Sequence, residues 1–195
     1  GFAVCGSYCT FLQVFPVLEQ LTEQCLSVQT IFSERAARTN TRFGLAAEFL
    51  ARAEQYTGRA PILTIRDAEP IGPKKLLDVL IIAPCTGNTL AKLAAGITDS
   101  SVTMAAKAHL RNGRPVVIAM ASNDGLAAGA RNIGELLVRK NYYFVPFGQD
   151  NARAKPSSLV ADFSKIPEAN RYSRCCCDEG RDAGIKPASL FRSFI

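Results

Sequence analysis

Residues 76–89 read LLDVLIIAPCTGNT, and the fold turns on this stretch. From Leu76 to Ala83 only Asp78 is polar, and so continuous an apolar run suits a central strand covered on both faces, as in a parallel sheet. Pro84 is expected to end that strand. Thr86 to Ala95 follows with the pattern of a helix, so the unit is strand, turn, helix.

The same unit recurs on both sides. Upstream, Phe2 to Gly6 is a short apolar run, and Thr10 to Gln24 places Phe11, Val14, Phe15, Leu18 and Leu21 at helical spacing. Cys25 to Phe32 reads as a second strand. Arg42 to Tyr56 reads as a helix buried through Phe43, Leu45, Ala46, Phe49 and Leu50, and a third unit begins near Pro61 to Ile65. Downstream, Asp99, Ser100 and Ser101 offer caps to a helix that runs to Leu110 and closes at Asn112 and Gly113. Pro115 to Ala121 reads as a buried strand, Leu126 to Arg139 as a helix and Tyr142 to Phe147 as the last strand. This alternation predicts an α/β fold, a Rossmann-like three-layer α/β/α arrangement around a mostly parallel sheet. One domain is expected over residues 1–165. Residues 166–195 show no consistent period, and Arg171 to Asp182 mixes arginines, cysteines and carboxylates, so a divergent tail without regular structure is expected there.

Composition narrows the function classes. With 195 residues, 48% of them hydrophobic and 21% charged, the chain is long enough to bury one sizeable core. No apolar stretch is long enough for a membrane-spanning helix, and Pro16 and Glu19 break the first helical segment. No secretion signal is read at the N-terminus, so a cytoplasmic location is expected. The net charge of +6 comes from scattered Lys and Arg without interleaved aromatics. That pattern gives no basic stripe for nucleic acid, and a mildly basic surface that attracts anionic small molecules explains the charge equally well. Cys5, Cys9, Cys25 and Cys85 lie in apolar or small-residue segments without paired spacing, which reads as buried free thiols rather than disulfides or a zinc site. His109 is the only histidine, flanked by Lys107 and Arg111 at close range, and reads as a surface or interfacial side chain.

Ligands of an open parallel sheet bind beyond the carboxyl ends of its strands, so the loops there carry the functional reading. Gly6-Ser7-Tyr8-Cys9-Thr10 offers a tight turn and hydroxyls ahead of a helix, which is a phosphate-binding arrangement or, as this loop alone favours, a plain capped helix. It lacks the GxGxxG spacing of an ordinary dinucleotide site. Pro84-Cys85-Thr86-Gly87-Asn88-Thr89 puts small and amide residues where a flat ring can approach the backbone. Met120 to Gly125, with Ser122 and Asn123, follows the next strand and faces the same crevice. Both loops also read as ordinary strand-to-helix turns. No catalytic triad or metal-ligand cluster is legible, which points to a bound cofactor as the carrier of chemistry.

Together the three loops resemble the flavoprotein family that includes the FMN-dependent cysteine decarboxylases. The family's PASANT-like motif reads here PCTGNT at 84–89, followed by LAKLA at 90–94 and GITD at 96–99. Further stretches carry the resemblance: GSYCT at 6–10, TNTRFG at 39–44, EPIGPK at 69–74, DSSVTMAAKAHLRNGRPVV at 99–117 and FVPFGQD at 144–150. The resemblance implies FMN as cofactor, with its phosphate at Gly6, Ser7 and Tyr8, helped by the loop after the second strand. Pro84, Cys85, Thr86, Asn88 and Thr89 would lie along the flavin, and Ser122 and Asn123 would occupy the place of the relatives' PXMN motif. It further implies an oxidoreductase subunit that works on a small dicarboxylate with a separate NADP-binding partner subunit, and that assembles as a homo-oligomer, a trimer or larger. The alternative is a non-catalytic subunit that completes its partner without flavin. Two departures argue against cysteine decarboxylation: no histidine precedes the central strand, and Ser122 replaces the methionine of PXMN. Arg42, Lys92, Lys107 and Arg153 are the basic candidates for a dicarboxylate, although solvated surface charge is the favoured reading of each.

Overall fold

The computed structural model of the protein describes residues 1–24 and 27–179, with 174–179 as backbone alone. The elements run β1 (Phe2–Val4), α1 (Phe11–Glu23), β2 (Thr30–Phe32), α2 (Glu34–Arg38), α3 (Ala46–Thr57), α4 (Ile65–Ala68), β3 (Leu80–Thr86) and α5 (Gly87–Ala95). They continue with α6 (Ser101–Leu110), β4 (Val116–Ser122), α7 (Gly129–Val138), β5 (Tyr142–Phe144), β6 (Phe147–Asn151), β7 (Lys155–Ala161) and α8 (Ile166–Glu179). Among the described residues they form one sheet in the order β2-β1-β3-β4-β7-β6, with β5 also paired to β4. β1 to β5 are mutually parallel, and β7 turns antiparallel onto the end of β4. The expected α/β fold with a mostly parallel sheet is the one observed.

Alternation along the central strands divides the core in two. Ile81 and Ala83 of β3 with Val117, Ala119 and Ala121 of β4 face Phe11, Phe15 and Leu18 of α1, Phe49 of α3 and Ile166 of α8. Leu80 and Ile82 with Val116, Ile118 and Met120 face Leu90 and Leu93 of α5, Val102 and Ala105 of α6, and Ile133 and Leu136 of α7. Each large apolar side chain so buried contributes about 1.5–3 kcal/mol. Helices therefore cover both faces because both faces of these strands are apolar.

Four expectations about the elements are corrected. Pro84 does not end the central strand: β3 continues to Thr86, with a register shift between Ile82 and Cys85. Such a bulge adds a residue to one strand and re-aims the side chains beyond it, and here Cys85 joins the second core although strict alternation would put it with Ala83 in the first. Pro16 lies inside α1 without interrupting it. Tyr142 to Phe147 is not the last strand, because β6 and β7 form an antiparallel hairpin after it. Finally, residues 166–179 are helical. Ile166, Ala169, Asn170 and Ser173 are buried at spacings of three and four, and that stripe holds α8 against the sheet. Residues 180–195 of the expected tail, and Cys25 at the start of the expected second strand, lie outside the described residues.

His109 is a further position where burial overrode the local pattern, since its polar neighbours suggested a surface. The side chain is fully buried, and its Nε2 lies 3.0 Å from the Pro115 carbonyl at the amino end of β4. Burial pushes its pKa down from 6.5 to about 4. The folded protein therefore holds His109 neutral while the unfolded chain takes up a proton, so stability present above pH 6.5 is lost as pH falls toward 4. We expect about 2 kcal/mol less stability at pH 5 than at pH 7 from this residue, measured by urea unfolding, and His109→Gln to flatten that dependence. An unchanged pH profile in the variant would assign the acid sensitivity elsewhere.

Candidate functional site

The sheet order places β1 beside β3, and the helices that follow them leave in opposite directions, α1 to one face and α5 to the other. In an open parallel sheet such a switch point, at the carboxyl edge, is where a ligand crevice lies. Its first wall is the loop from Gly6 to Thr10. Ser7 N–H donates to Cys5 O at 2.8 Å and Thr10 Oγ1 to Ser7 O at 2.8 Å, which closes a tight turn into α1. Neither Ser7 nor Thr10 caps the helix that it precedes. By contrast Ser33, Thr64, Thr86 and Ser100 all cap theirs. The first turn of α1 thus keeps donors that no side chain of the loop accepts from. Tyr8 leans back over Gly6, where an added Cβ would lie 3.3 Å from its hydroxyl, and donates to Arg35 O at 3.0 Å. That bond ties the first loop to the segment after β2.

The second wall is Pro84 to Thr89. Cys5 N–H donates to Pro84 O at 3.2 Å and Thr89 Oγ1 to Cys5 Sγ at 3.3 Å, so the two loops are joined at backbone and side chain. Thr86 caps α5 through Thr89 N–H, while Asn88 stands exposed at the first turn. Pro84 and Cys85 are buried beneath, and the Cys85 side chain belongs to the core. The third loop meets the second at Gly87: a Cβ there would lie 2.6 Å from Ser122 Oγ and 2.9 Å from Asp124 Oδ1. Ser122 donates to Asp124 and is nearly buried, whereas Asn123 is exposed. The predicted residues Gly6, Ser7, Tyr8, Pro84, Cys85, Thr86, Asn88, Thr89, Ser122 and Asn123 therefore come from three loops that touch. Those with side chains open toward solvent are Ser7, Tyr8, Thr86, Asn88 and Asn123.

The electrostatics leave little for acid–base work at the floor. Burial pushes the Cys5 thiol up to about 11, partly offset by the Thr89 hydrogen bond, and raises Cys85 well above its ordinary value. Both stay protonated at neutral pH and are poor nucleophiles. Cys9, expected to be buried, is exposed. Glu34, which no sequence motif singled out, accepts from Ser101 N–H at 2.9 Å, and Ser101 Oγ donates to Phe32 O. A carboxylate on the first turn of α6 is favourable to the helix dipole, and it fixes the β2–α2 segment against the far side of the crevice. The Ser33-Glu34 pair ahead of a short helix was the available cue. Of the basic candidates, Lys92 pairs with Asp99 at 2.9 Å, and Arg42, Lys107 and Arg153 are exposed. A cavity of about 480 Å³ lies at the opposite edge, lined by Phe2, Gln29, Arg59, Leu77 and Asn170. No group of three or more potential metal-ligating side chains occurs among the described residues.

A Rossmann-like sheet with an uncapped helix behind Gly6-Ser7 and a PCTGNT loop beside it defines a class, and the family description Flavoprotein matches residues 1–141: the chain belongs to that family. Within it, the chain is 45% identical over 168 residues to the B subunit of dipicolinate synthase of Bacillus subtilis (strain 168), covering 86% of this chain and 84% of that protein. The crystal structure of the dipicolinate synthase B subunit from Bacillus halodurans C superposes with a TM-score of 0.82 at 41% identity, over 96% of this chain and 93% of that one. The FMN-dependent cysteine decarboxylase SpaF follows at 0.66 and 26%, over 91% and 95%. No helix among the described residues is long and apolar enough to cross a membrane.

Proposed function

We propose that the protein acts as the B subunit of a dipicolinate synthase, an oxidoreductase in which it binds FMN. In this reading it works with the NADP-binding dipicolinate synthase A subunit to form pyridine-2,6-dicarboxylate from a dihydrodipicolinate-type precursor, in the cytoplasm of the mother cell of a sporulating bacterium. The 45% identity to the Bacillus subtilis B subunit across most of both chains supports the assignment. Homo-oligomers, trimers or larger, are part of the same reading.

The observation that carries the flavin is the N-terminus of α1 behind Ser7, which no side chain caps. A helix start without a side-chain cap accommodates a phosphate through its backbone N–H groups and dipole. FMN, when bound, would supply the two-electron acceptor that no side chain of the crevice offers. Gly6, Ser7 and Tyr8 would hold its phosphate, with Ser33 nearby at the end of β2. Pro84 to Thr89 would give its ring a flat floor, since Gly87 has no side chain and Cys85 points into the core. Asn88 and Asn123, both exposed amides, would bond its polar edge.

The test is the visible absorbance of the purified protein after incubation with FMN and removal of unbound flavin by gel filtration. We expect the flavin bands to remain with the protein, and Ser7→Asp, which sets a carboxylate against the phosphate, to weaken retention by at least about tenfold. Protein that stays colourless at saturating FMN yet raises the turnover of the A subunit would instead establish the cofactor-free partner role.

A further inference from the structure

The segment 34–44, between β2 and α3, carries three arginines without counterions. Arg35 and Arg38 stand at i and i+3 on α2, and Arg42 follows in a turn; all three are exposed. Among the described residues none of them forms an ion pair. The nearest carboxylates along the chain are spent on backbone donors, Glu34 on Ser101 N–H and Glu48 on Leu45 N–H. Unpaired cations are ordinary on a protein surface when they are solvated and mobile. These are held.

The holding device is the TNTRFG turn. Thr41 and Gly44 exchange backbone hydrogen bonds at 3.1 Å each, Thr41 Oγ1 accepts from Phe43 N–H at 3.2 Å, and Asn40 Oδ1 accepts from Ala46 N–H at 3.0 Å. Gly44 adopts φ +143 against the Phe49 ring, where a Cβ would come within 2.8 Å. No side chain fits there, and the turn is fixed on α3. Arg42 is stacked on Phe43 with its guanidinium carbon 4.9 Å from the ring centre, a contact that limits rotamers and leaves the N–H edges outward. The Phe49 ring beneath Gly44 lies 4.8 Å from Phe11, itself 5.4 Å from Tyr8. The turn and the Gly6–Thr10 loop therefore share one aromatic support, and Tyr8 bonds Arg35 O directly. Because β2 ends at the carboxyl edge and α3 returns from it, the basic segment borders the crevice.

We propose that Arg42, with Arg35 and Arg38 beside it, binds a carboxylate group of the dicarboxylate at the mouth of the crevice. The inference rests on the functional reading above and adds the residues that select a doubly charged ligand. A guanidinium matches a carboxylate with two parallel N–H···O bonds, which a lysine ammonium does not reproduce.

The experiment is calorimetric titration of pyridine-2,6-dicarboxylate and of pyridine-2-carboxylate into the purified chain, in metal-free buffer with FMN present. Wild type is expected to prefer the dicarboxylate, and Arg42→Gln to weaken its binding by at least about tenfold while leaving the monocarboxylate and the melting temperature nearly unchanged. Arg42→Lys is expected to recover only part of the loss. Equal dicarboxylate binding by Arg42→Gln and wild type would overturn the role of Arg42 and leave the functional reading intact. Absence of any dicarboxylate binding by wild type would overturn the substrate class itself.

Discussion

Phe11→Ala is expected to destabilise the protein by about 3–5 kcal/mol. Phe11 is fully buried at the start of α1, with ring centroids 4.8 Å from Phe49, 5.8 Å from Phe15 and 5.4 Å from Tyr8. Truncation removes the transfer energy of the ring and leaves a void between helices that are already pinned to the sheet, so the neighbours close it only in part. Tyr8 loses its support at the same time. The melting temperature should therefore fall by on the order of 10 °C, with FMN retention lost ahead of global unfolding as the Gly6–Thr10 loop loosens. Phe11→Leu, which keeps most of the volume, should cost less than half as much. A melting temperature for Phe11→Ala within a degree or two of wild type would mean that this aromatic group is not the keystone of the α1 face.

Gly87→Val acts on the site rather than on the core. Its Cβ would have to occupy a point 2.6 Å from Ser122 Oγ and 2.9 Å from Asp124 Oδ1, well inside contact distance. Ser122 is only 8% exposed and already donates to Asp124, so it has little freedom to move away. The second and third loops must then separate, and the floor on which the flavin ring is proposed to lie is split. We expect FMN retention to fall by more than about tenfold, with a stability loss of about 1–3 kcal/mol from overpacking. Gly134→Ala on α7 is the control, because an added Cβ there meets nothing within 4 Å. Helical alanine should leave retention unchanged and raise stability by up to about 1 kcal/mol. Wild-type flavin retention in Gly87→Val would mean that the joined loops do not form the flavin floor.

Much of this site was legible in sequence because its loops follow apolar strands and obey local turn chemistry. Gly6-Ser7 and PCTGNT stand at the ends of β1 and β3, where the sheet order sets them side by side. What was missed has a common cause. Glu34 gave a capping cue but no hint that its partner would be Ser101, a residue 67 positions away. The β6–β7 hairpin escaped because Gly148 to Pro156 is exposed, polar and without alternation, and it includes a proline. Such strands are held by their partners rather than by their own propensity.

By itself the sequence determined the alternation of strands and helices from β1 to β5, the mostly parallel character of the sheet and the loops worth watching. Apolar periodicity and turn residues act over a few positions, so they can be read from a single chain. Tertiary structure alone decided that β3 runs on past Pro84 and turns Cys85 into the core, that His109 is buried beside β4 instead of lying on the surface, and that the first turn of α1 goes without a cap. It also joined Cys5 to Thr89 across 84 residues. These outcomes depend on which groups meet after distant segments pack, and on how much water is then excluded from them. Nothing in the local pattern carries that information.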